Sequence, residues 1–306
     1  MKVIITGGTG LIGKALAGDL LADQHDVIIL SRDPDSAKDI PSGAKIAAWD
    51  GLTEKGWLGH AEGADAIVNL AGASIDNRWT EPYKKMVRDS RVNAGKAVIA
   101  AIKAAKDTPK VLIQASAVGY YGPRKDEIVT ETSESGNDFL ASVCKDWEAS
   151  SAEADSLGVR RAVIRTGIVC STKGGALARL IPIFKLGGGG PVGSGKQYYP
   201  WIHLGDVVGG IRFLIEQPNA SGVFNLTAPN PVTNKDFSKA LGAAMSRPAF
   251  APAPSIAMKV MFGEMATIIL DGQRAVPQRL QDLKYPFRFS DPEAAFRHLL
   301  YSGAKV

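Results

Sequence analysis

The amino-acid sequence predicts an α/β protein: a doubly wound parallel sheet with helices on both faces, then a smaller C-terminal α/β substrate lobe and a helical extension. Three observations carry that prediction. Short apolar runs alternate with longer periodic stretches through the first half of the chain, the pattern of successive βα units. The run Ala66-Ile67-Val68-Asn69-Leu70 is apolar at nearly every position, as in a strand covered on both faces; a half-exposed antiparallel strand would alternate. A glycine-rich turn follows the first apolar run directly. The length, 306 residues with 45% hydrophobic content, allows one large core plus a smaller lobe, because single cores stop growing at roughly 250–300 residues.

The expected strands, in order, are 2–6, 26–31, 44–49, 66–70, 111–115 and 160–165, with helices beginning near Leu11, Glu81, Phe139 and Gly175. After about residue 170 the pattern loosens. Gly187-Gly188-Gly189-Gly190-Pro191, with Gly193 and Gly195 beyond it, reads either as a mobile flap over a cleft or as a plain turn cluster. A helix from Leu204, a strand at 223–226 and a helix from Thr233 follow. Pro248, Pro252 and Pro254 then precede short helical stretches at 256–263, 265–270 and 292–300. The expected division is a sheet domain over 1–170, to which about 200–226 returns, mixed segments with the substrate lobe over 171–245, and a helical extension over 246–306.

Thirty-six basic and 31 acidic residues give a net charge of +5, spread along the chain, which accords with an anionic ligand but not with nucleic acid. The densest basic stretch, Lys84, Lys85, Arg88 and Arg91, has helical spacing and no interleaved aromatics. It reads as a solvated helix face, or else as a contact with an anionic cofactor or substrate. Two cysteines, Cys144 and Cys170, form no C-x-x-C pair and join no histidine cluster, so neither a disulfide framework nor a metal site is expected. No apolar run reaches the roughly 18 residues of a membrane span, and no leader pattern opens the chain. A cytoplasmic protein with no membrane partner is the expectation.

Gly7-Gly8-Thr9-Gly10-Leu11-Ile12-Gly13 joins an apolar strand to a helix. Glycine there permits a tight turn and close approach of a pyrophosphate, which the helix N-terminus would hold by unpaired N–H groups. The second strand ends in Ser31-Arg32, where a site for NAD normally offers a carboxylate to the ribose 2′-hydroxyl. A guanidinium suits a 2′-phosphate, so NADP(H) is favoured; the adjacent Asp33 keeps NAD(H) open. Asp50, ending the third strand, is placed to accept from an adenine amino group. Leu70, Ala71, Gly72 and Ala73 end the fourth strand, small enough for a ribose and phosphate to pass.

Gly7-x-x-Gly10-x-x-Gly13, Asn69-Leu70-Ala71-Gly72, the segment from Ser116 to Gly122 and Trp201-Ile202-His203-Leu204-Gly205-Asp206 together resemble the extended short-chain dehydrogenase/reductase, or NAD-dependent epimerase/dehydratase, superfamily. Gly119-Tyr120-Tyr121-Gly122, Val143-Cys144-Lys145-Asp146-Trp147-Glu148 and the C-terminal stretch from Gly263-Glu264-Met265 to Leu280 resemble an epimerase-like branch of unassigned substrate. Some members of that branch carry a cell-division-inhibitor label, which no residue here supports mechanistically. The resemblance covers essentially the whole chain and implies a Rossmann fold, NADP(H) and a C-terminal substrate lobe; a dimer through the two long central helices is compatible with it.

The family's usual catalytic set is a Ser or Thr with a Tyr-x-x-x-Lys pair, whose i, i+4 spacing puts the ammonium beside the phenol and lowers its pKa. Glu148 typically follows the family lysine by four residues, which places Cys144 at the lysine position and Leu140 at the tyrosine position. A register on Lys145 puts Ala141 at the tyrosine position, so the pair is expected to be absent. Aligning on Tyr121-Gly122 puts Ala117 at the usual serine position, with Ser116 one residue earlier.

The candidates left for catalysis are Ser116, Tyr121, Cys144 and His203, and for substrate binding Arg165, Trp201 and His203. Each has a plainer alternative. Ser116 can cap a turn, Tyr121 can pack, and Cys144 can be a small buried residue; His203 can bond the backbone or Asp206, and Arg165 can form an ion pair. Ser116 also counts among the cofactor contacts. Two functions remain open: an NADP(H)-dependent oxidoreductase or epimerase-like enzyme acting on an unknown small molecule, and a noncatalytic NADP(H)-binding regulatory or redox-sensing module.

Overall fold

The structure, a computed structural model, describes residues 1–301. Its first half runs β1 (Lys2–Thr6), α1 (Leu11–Ala22), β2 (Asp26–Ser31), β3 (Lys45–Ala48), α2 (Leu58–Ala61), β4 (Ala66–Asn69), α3 (Glu81–Ala104), β5 (Val111–Ala117), β6 (Ile128–Val129), α4 (Phe139–Ala149) and β7 (Arg160–Thr166). The second half continues β8 (Ile168–Cys170), α5 (Gly175–Lys185), β9 (Tyr198–Tyr199), β10 (Trp201–His203), α6 (Leu204–Glu216), β11 (Gly222–Leu226), β12 (Val232–Thr233) and α7 (Asn234–Met245). The chain ends through α8 (Ser255–Phe262), α9 (Thr267–Leu270), β13 (Arg274–Ala275), α10 (Gln278–Asp282) and α11 (Pro292–Tyr301).

Seven of these strands form one parallel sheet in the order β11-β7-β5-β4-β1-β2-β3, the doubly wound arrangement the βα alternation predicts. Ile5 of β1 lies between Ile29 of β2 and Val68 of β4. Because strand side chains alternate between faces, Val3, Ile5, Ile29, Val68 and Ile113 point to one side, against Leu16 and Leu20 of α1 and Ile211 and Leu214 of α6. Ile4, Ile28, Ile67 and Leu112 point to the other, against Val98 and Ile102 of α3 and against Trp57. Both layers are buried, which is why 66–70 reads as a continuous apolar run. Helix starts are fixed locally: Thr80 accepts from the Tyr83 amide at α3 and Asp138 from the Ala141 amide at α4.

The strand expected at 44–49 is shorter, whereas β5 and β7 extend to Ala117 and Thr166. Three small pairings were not expected: β8 with β10, β9 with β12, and β6 with β13. Strands of two or three residues are too short to show a period. The glycine cluster after α5 is a packed connection rather than a flap: Ala251 N–H donates to Gly189 O at 3.0 Å, and a Cβ on Gly190 would lie 2.2 Å from Ala251 O. The helical stretch expected at 265–270 is a 3-10 turn, Gly263–Ala266, leading into α9.

The C-terminal segment packs on the rest through a third apolar cluster in which Phe296 and Leu299 of α11 meet Phe237 and Leu241 of α7 and Trp201. Polar ties reinforce it. The Asp206 carboxylate accepts from the Arg288 and Phe289 amides at 2.8 and 3.1 Å, and Lys84 pairs with Glu264 at 2.6 Å. The last part of the extension expected over 246–306, residues 302–306, lies outside the described residues. Among the described residues no helix is long and apolar enough to cross a membrane, and no group of three His, Cys, Asp or Glu could hold a metal ion.

Candidate functional site

Strand order reverses between β1 and β4, so their carboxyl ends open a crevice, the place where open α/β sheets bind ligands. The turn from β1 to α1 forms its floor. Gly7 has φ +66°, and a Cβ there would lie 2.8 Å from the Leu70 carbonyl group. A Cβ on Gly13 would lie 2.5 Å from Gly8 Cα and 2.6 Å from Gly7 O, so α1 can start this close to the turn only without a side chain. Gly10 is the N-cap of α1, no side chain caps the helix there, and its first turn carries no acidic residue. The unpaired N–H groups and positive end of the helix therefore stay available to an anion.

On one side of this turn is a cavity of about 560 Å³, lined by Gly7, Thr9, Gly10, Ser31, Arg32 and Asp50, with Leu70 to Ala73 opposite. Sequence reasoning missed Lys14, Ser36 and Lys38 on the same wall, which carry no motif and reach the cavity only through folding. Asp33 accepts from the Ser36 amide, and its hydrogen bonds from Ser36 hold it below the usual carboxylate range. Asp50 is partly committed: Oδ1 accepts from the Leu52 and Thr53 amides and Oδ2 from the Thr53 hydroxyl, which together hold its pKa down. Only Oδ2 keeps a lone pair for a ligand.

A second cavity of about 480 Å³ shares Gly7, Gly10 and Leu70 with the first, so the two are halves of one groove. Leu11, Ile12 and Gly13 line it, as do Leu140 and Cys144 of α4 and Thr166 and Gly167 at the end of β7. Its outer wall comes from Tyr198 to Pro200 and from Ile268, Asp271 and Gln273, residues far apart in sequence that no local pattern links. Arg91 also reaches it. This guanidinium donates through Nη1 to Ala73 O and Val87 O at 3.0 and 2.8 Å and lies 4.9 Å from the Trp147 ring. Among the described residues no carboxylate lies within 4.0 Å of it. Burial lowers its pKa, but a guanidinium stays charged, so the groove holds a cation with no protein counter-ion.

Several sequence-derived site residues need correction. Cys144 lines the cavity, but burial, with Glu148 adding to it, pushes the thiol up to about 11, which favours the protonated form over the thiolate that a nucleophile needs. Lys145 is exposed and does not change this. Ser116 donates to Glu148 Oε1 at 2.6 Å and lines neither cavity. Tyr121 is fully buried; its hydroxyl donates to Asn225 Oδ1 at 2.6 Å and accepts from Arg165 at 3.1 Å, and burial raises its pKa to about 12. Arg165 is not an anion holder for the cleft, because it forms a bidentate pair with Glu148 at 2.8 and 2.9 Å and packs on the Tyr120 ring.

His203 and Trp201 also turn away from the groove. His203 Nδ1 accepts from the Gly205 amide at 2.8 Å, capping α6, while Nε2 meets His298 Nδ1 at 3.1 Å and the ring stacks on Phe289. Burial pulls its pKa down to about 4, so it sits neutral inside the C-terminal junction. Trp201 is fully buried and donates to Asn230 O at 3.1 Å. The physical reason is common to Tyr121, Arg165, His203 and Trp201. A residue at a strand end can face the crevice or the layer behind it, and here charged and aromatic side chains bury their polar atoms against one another.

Residues 3–227 match the model of the NAD dependent epimerase/dehydratase family, and residues 253–299 match a domain of unknown function, DUF1731. The chain is 39% identical over 302 residues to the chloroplastic epimerase family protein SDR39U1 homolog of Arabidopsis thaliana, covering 98% of this chain and 87% of that one. Human epimerase family protein SDR39U1 (isoform 2), solved with NADPH, is 34% identical with a TM-score of 0.88, covering 98% and 99% of the two chains. A nucleoside-diphosphate sugar epimerase from Corynebacterium glutamicum is 36% identical with a TM-score of 0.79, covering 97% of this chain and 57% of that one.

Proposed function

Because the chain belongs to the NAD dependent epimerase/dehydratase family, we propose that it is an NADP(H)-binding oxidoreductase of the epimerase/dehydratase type whose proton transfer does not use a Tyr-x-x-x-Lys pair. The observation that carries the cofactor assignment is the basic lining of the first cavity, which Arg32, directly after β2, shares with Lys14 and Lys38. These cations suit a 2′-phosphate, and the related human protein solved with NADPH supports the same choice. The side-chain-free turn at Gly7, Gly10 and Gly13 fits the pyrophosphate, and Arg91 supplies further positive charge to the groove. When bound there, NADP(H) supplies the hydride chemistry that interconverts a carbonyl and an alcohol.

The chain's own residues hold and shield. Leu11, Ile12 and Leu140 give the second cavity an apolar lining, and Asp271 is the carboxyl group on its outer wall able to hold or give a proton. NADPH and NADH titrations followed by cofactor fluorescence test the assignment. Arg32→Asp is expected to weaken NADPH binding by about tenfold or more while changing NADH binding less, the scale of one charge-assisted hydrogen bond. Equal losses for both cofactors, or no saturable NADPH binding by the unaltered protein, would reject it.

A second reading is a noncatalytic NADP(H)-dependent regulatory or redox-sensing module. It is favoured by Leu140 and a protonated Cys144 standing where the family pair is expected, and by Ser116 engaged with Glu148. Turnover of NADPH with any member of a carbonyl panel, above a Gly10→Asp control, decides for the enzyme.

A further inference from the structure

The outer half of the groove bears on the class of substrate. Beyond the glycine turn the second cavity is walled by Ile75, Leu140, Tyr198, Tyr199, Pro200 and Ile268. Two of the polar groups on that wall are committed to the protein: Tyr199 donates to Ile269 O at 3.2 Å and Gln273 to Gly122 O at 3.0 Å. The cavity's cation, Arg91, sits against Gly72 and Ala73 on the cofactor side. A neighbouring cavity between Gly193 and α8, which shares Asp271 with this one, is lined by Lys259 together with Glu264 and Asp271.

Asp271 borders both spaces, and its carboxyl group makes no hydrogen bond or ion pair with any described residue. A nucleoside diphosphate brings at least two negative charges and is held by several cations or backbone N–H groups, and its sugar needs matched hydroxyl partners. This mouth differs: its walls are mainly apolar and aromatic, and the carboxyl group at its edge shares its surroundings with a single lysine, Lys259.

We propose that the cleft takes a neutral, largely apolar or aromatic carbonyl compound, or the corresponding alcohol, and not a sugar nucleotide, with Asp271 the hydrogen-bonding partner of its oxygen. Burial and the nearby Asp138 raise the Asp271 carboxyl pKa, with Lys259 acting against them. The inference rests on the NADP(H) reading of the same groove and narrows it. It also separates this chain from the printed substrate class of its Corynebacterium glutamicum relative.

The test is binding to the full chain saturated with NADPH, measured calorimetrically for acetophenone, 1-phenylpropane-1,2-dione, UDP-glucose and UDP. The aryl ketones are expected to bind about tenfold or more tightly than UDP-glucose, and Ile268→Lys to weaken them by about tenfold with NADPH affinity kept within about twofold. Asp271→Leu is expected to weaken both ketones without strengthening their dependence on salt. The proposal is overturned if UDP-glucose binds more tightly than the ketones and is displaced by UDP, if neither ketone binds, or if Ile268→Lys leaves ketone binding unchanged. Failure of NADPH to bind the unaltered protein would instead remove the cofactor reading beneath it.

Discussion

His203 shows how a residue with every chemical qualification for acid–base work is taken over by structure. Its ring accepts from the Gly205 amide, touches His298 and stacks on Phe289, and burial lowers its pKa from 6.5 to about 4. Above about pH 6.5 both folded and unfolded chains hold this ring neutral, so its full contribution to stability is present. As pH falls toward 4 the unfolded chain binds a proton that the folded chain refuses, and stability declines through that window. The loss by pH 4 is on the order of a few kcal/mol, since each pKa unit is worth about 1.36 kcal/mol. Asp206, whose pKa burial raises, works in the opposite direction, so the comparison of variants isolates the histidine. His203→Gln keeps an acceptor for Gly205 and is expected to flatten the fall in urea-unfolding free energy between pH 7 and pH 5; an unchanged slope would show that the histidine is not its source. The sequence points to Arg32 and the glycines, which line the groove, because strand-end and turn positions constrain residue type directly. It cannot tell Arg165 the anion holder from Arg165 the partner of Glu148, because that choice depends on a helix brought alongside by folding.

At the scale of elements, the junction of β1 with α1 is the most demanding piece of local structure. A methyl group on Gly13 would meet the backbone of Gly8 and Gly7 rather than a movable side chain, so α1 would have to shift off the turn. Gly13→Ala is expected to cost about 1–3 kcal/mol in urea unfolding and to weaken NADPH by about tenfold or more. Undiminished cofactor affinity in that variant would mean that the first turn of α1 does not hold the pyrophosphate. The strands of the main sheet are legible in the sequence because burial on both faces leaves an apolar run that does not depend on register. The β8–β10 and β6–β13 pairs are illegible for the converse reason: each has two or three residues and is stabilised by partners more than thirty residues away.

Across the whole molecule, the C-terminal segment is not an appendage. Leu280 and Tyr285 enter the same apolar cluster as Ile5, Ile29 and Phe224, and Arg279 donates to Val223 O and Ser221 O at the end of the sheet. Phe296 and Leu299 complete the third cluster with α7 and Trp201. Shared cores unfold together, so urea denaturation is expected to give one transition, coincident by far-ultraviolet and near-ultraviolet circular dichroism. Two separated transitions would show that residues 253–299 fold as an independent unit. The sequence by itself determined the parallel sheet, the glycine turn and the basic end of the second strand, because each follows from local sterics or from burial on both faces of one strand. Only the tertiary structure decided that Tyr121, Arg165 and His203 serve the interior, that Arg91 faces the groove, and that the outer wall comes from Tyr198 and Ile268. Those assignments depend on which distant segments meet, and a side chain's chemistry is set by the neighbours that remove it from water.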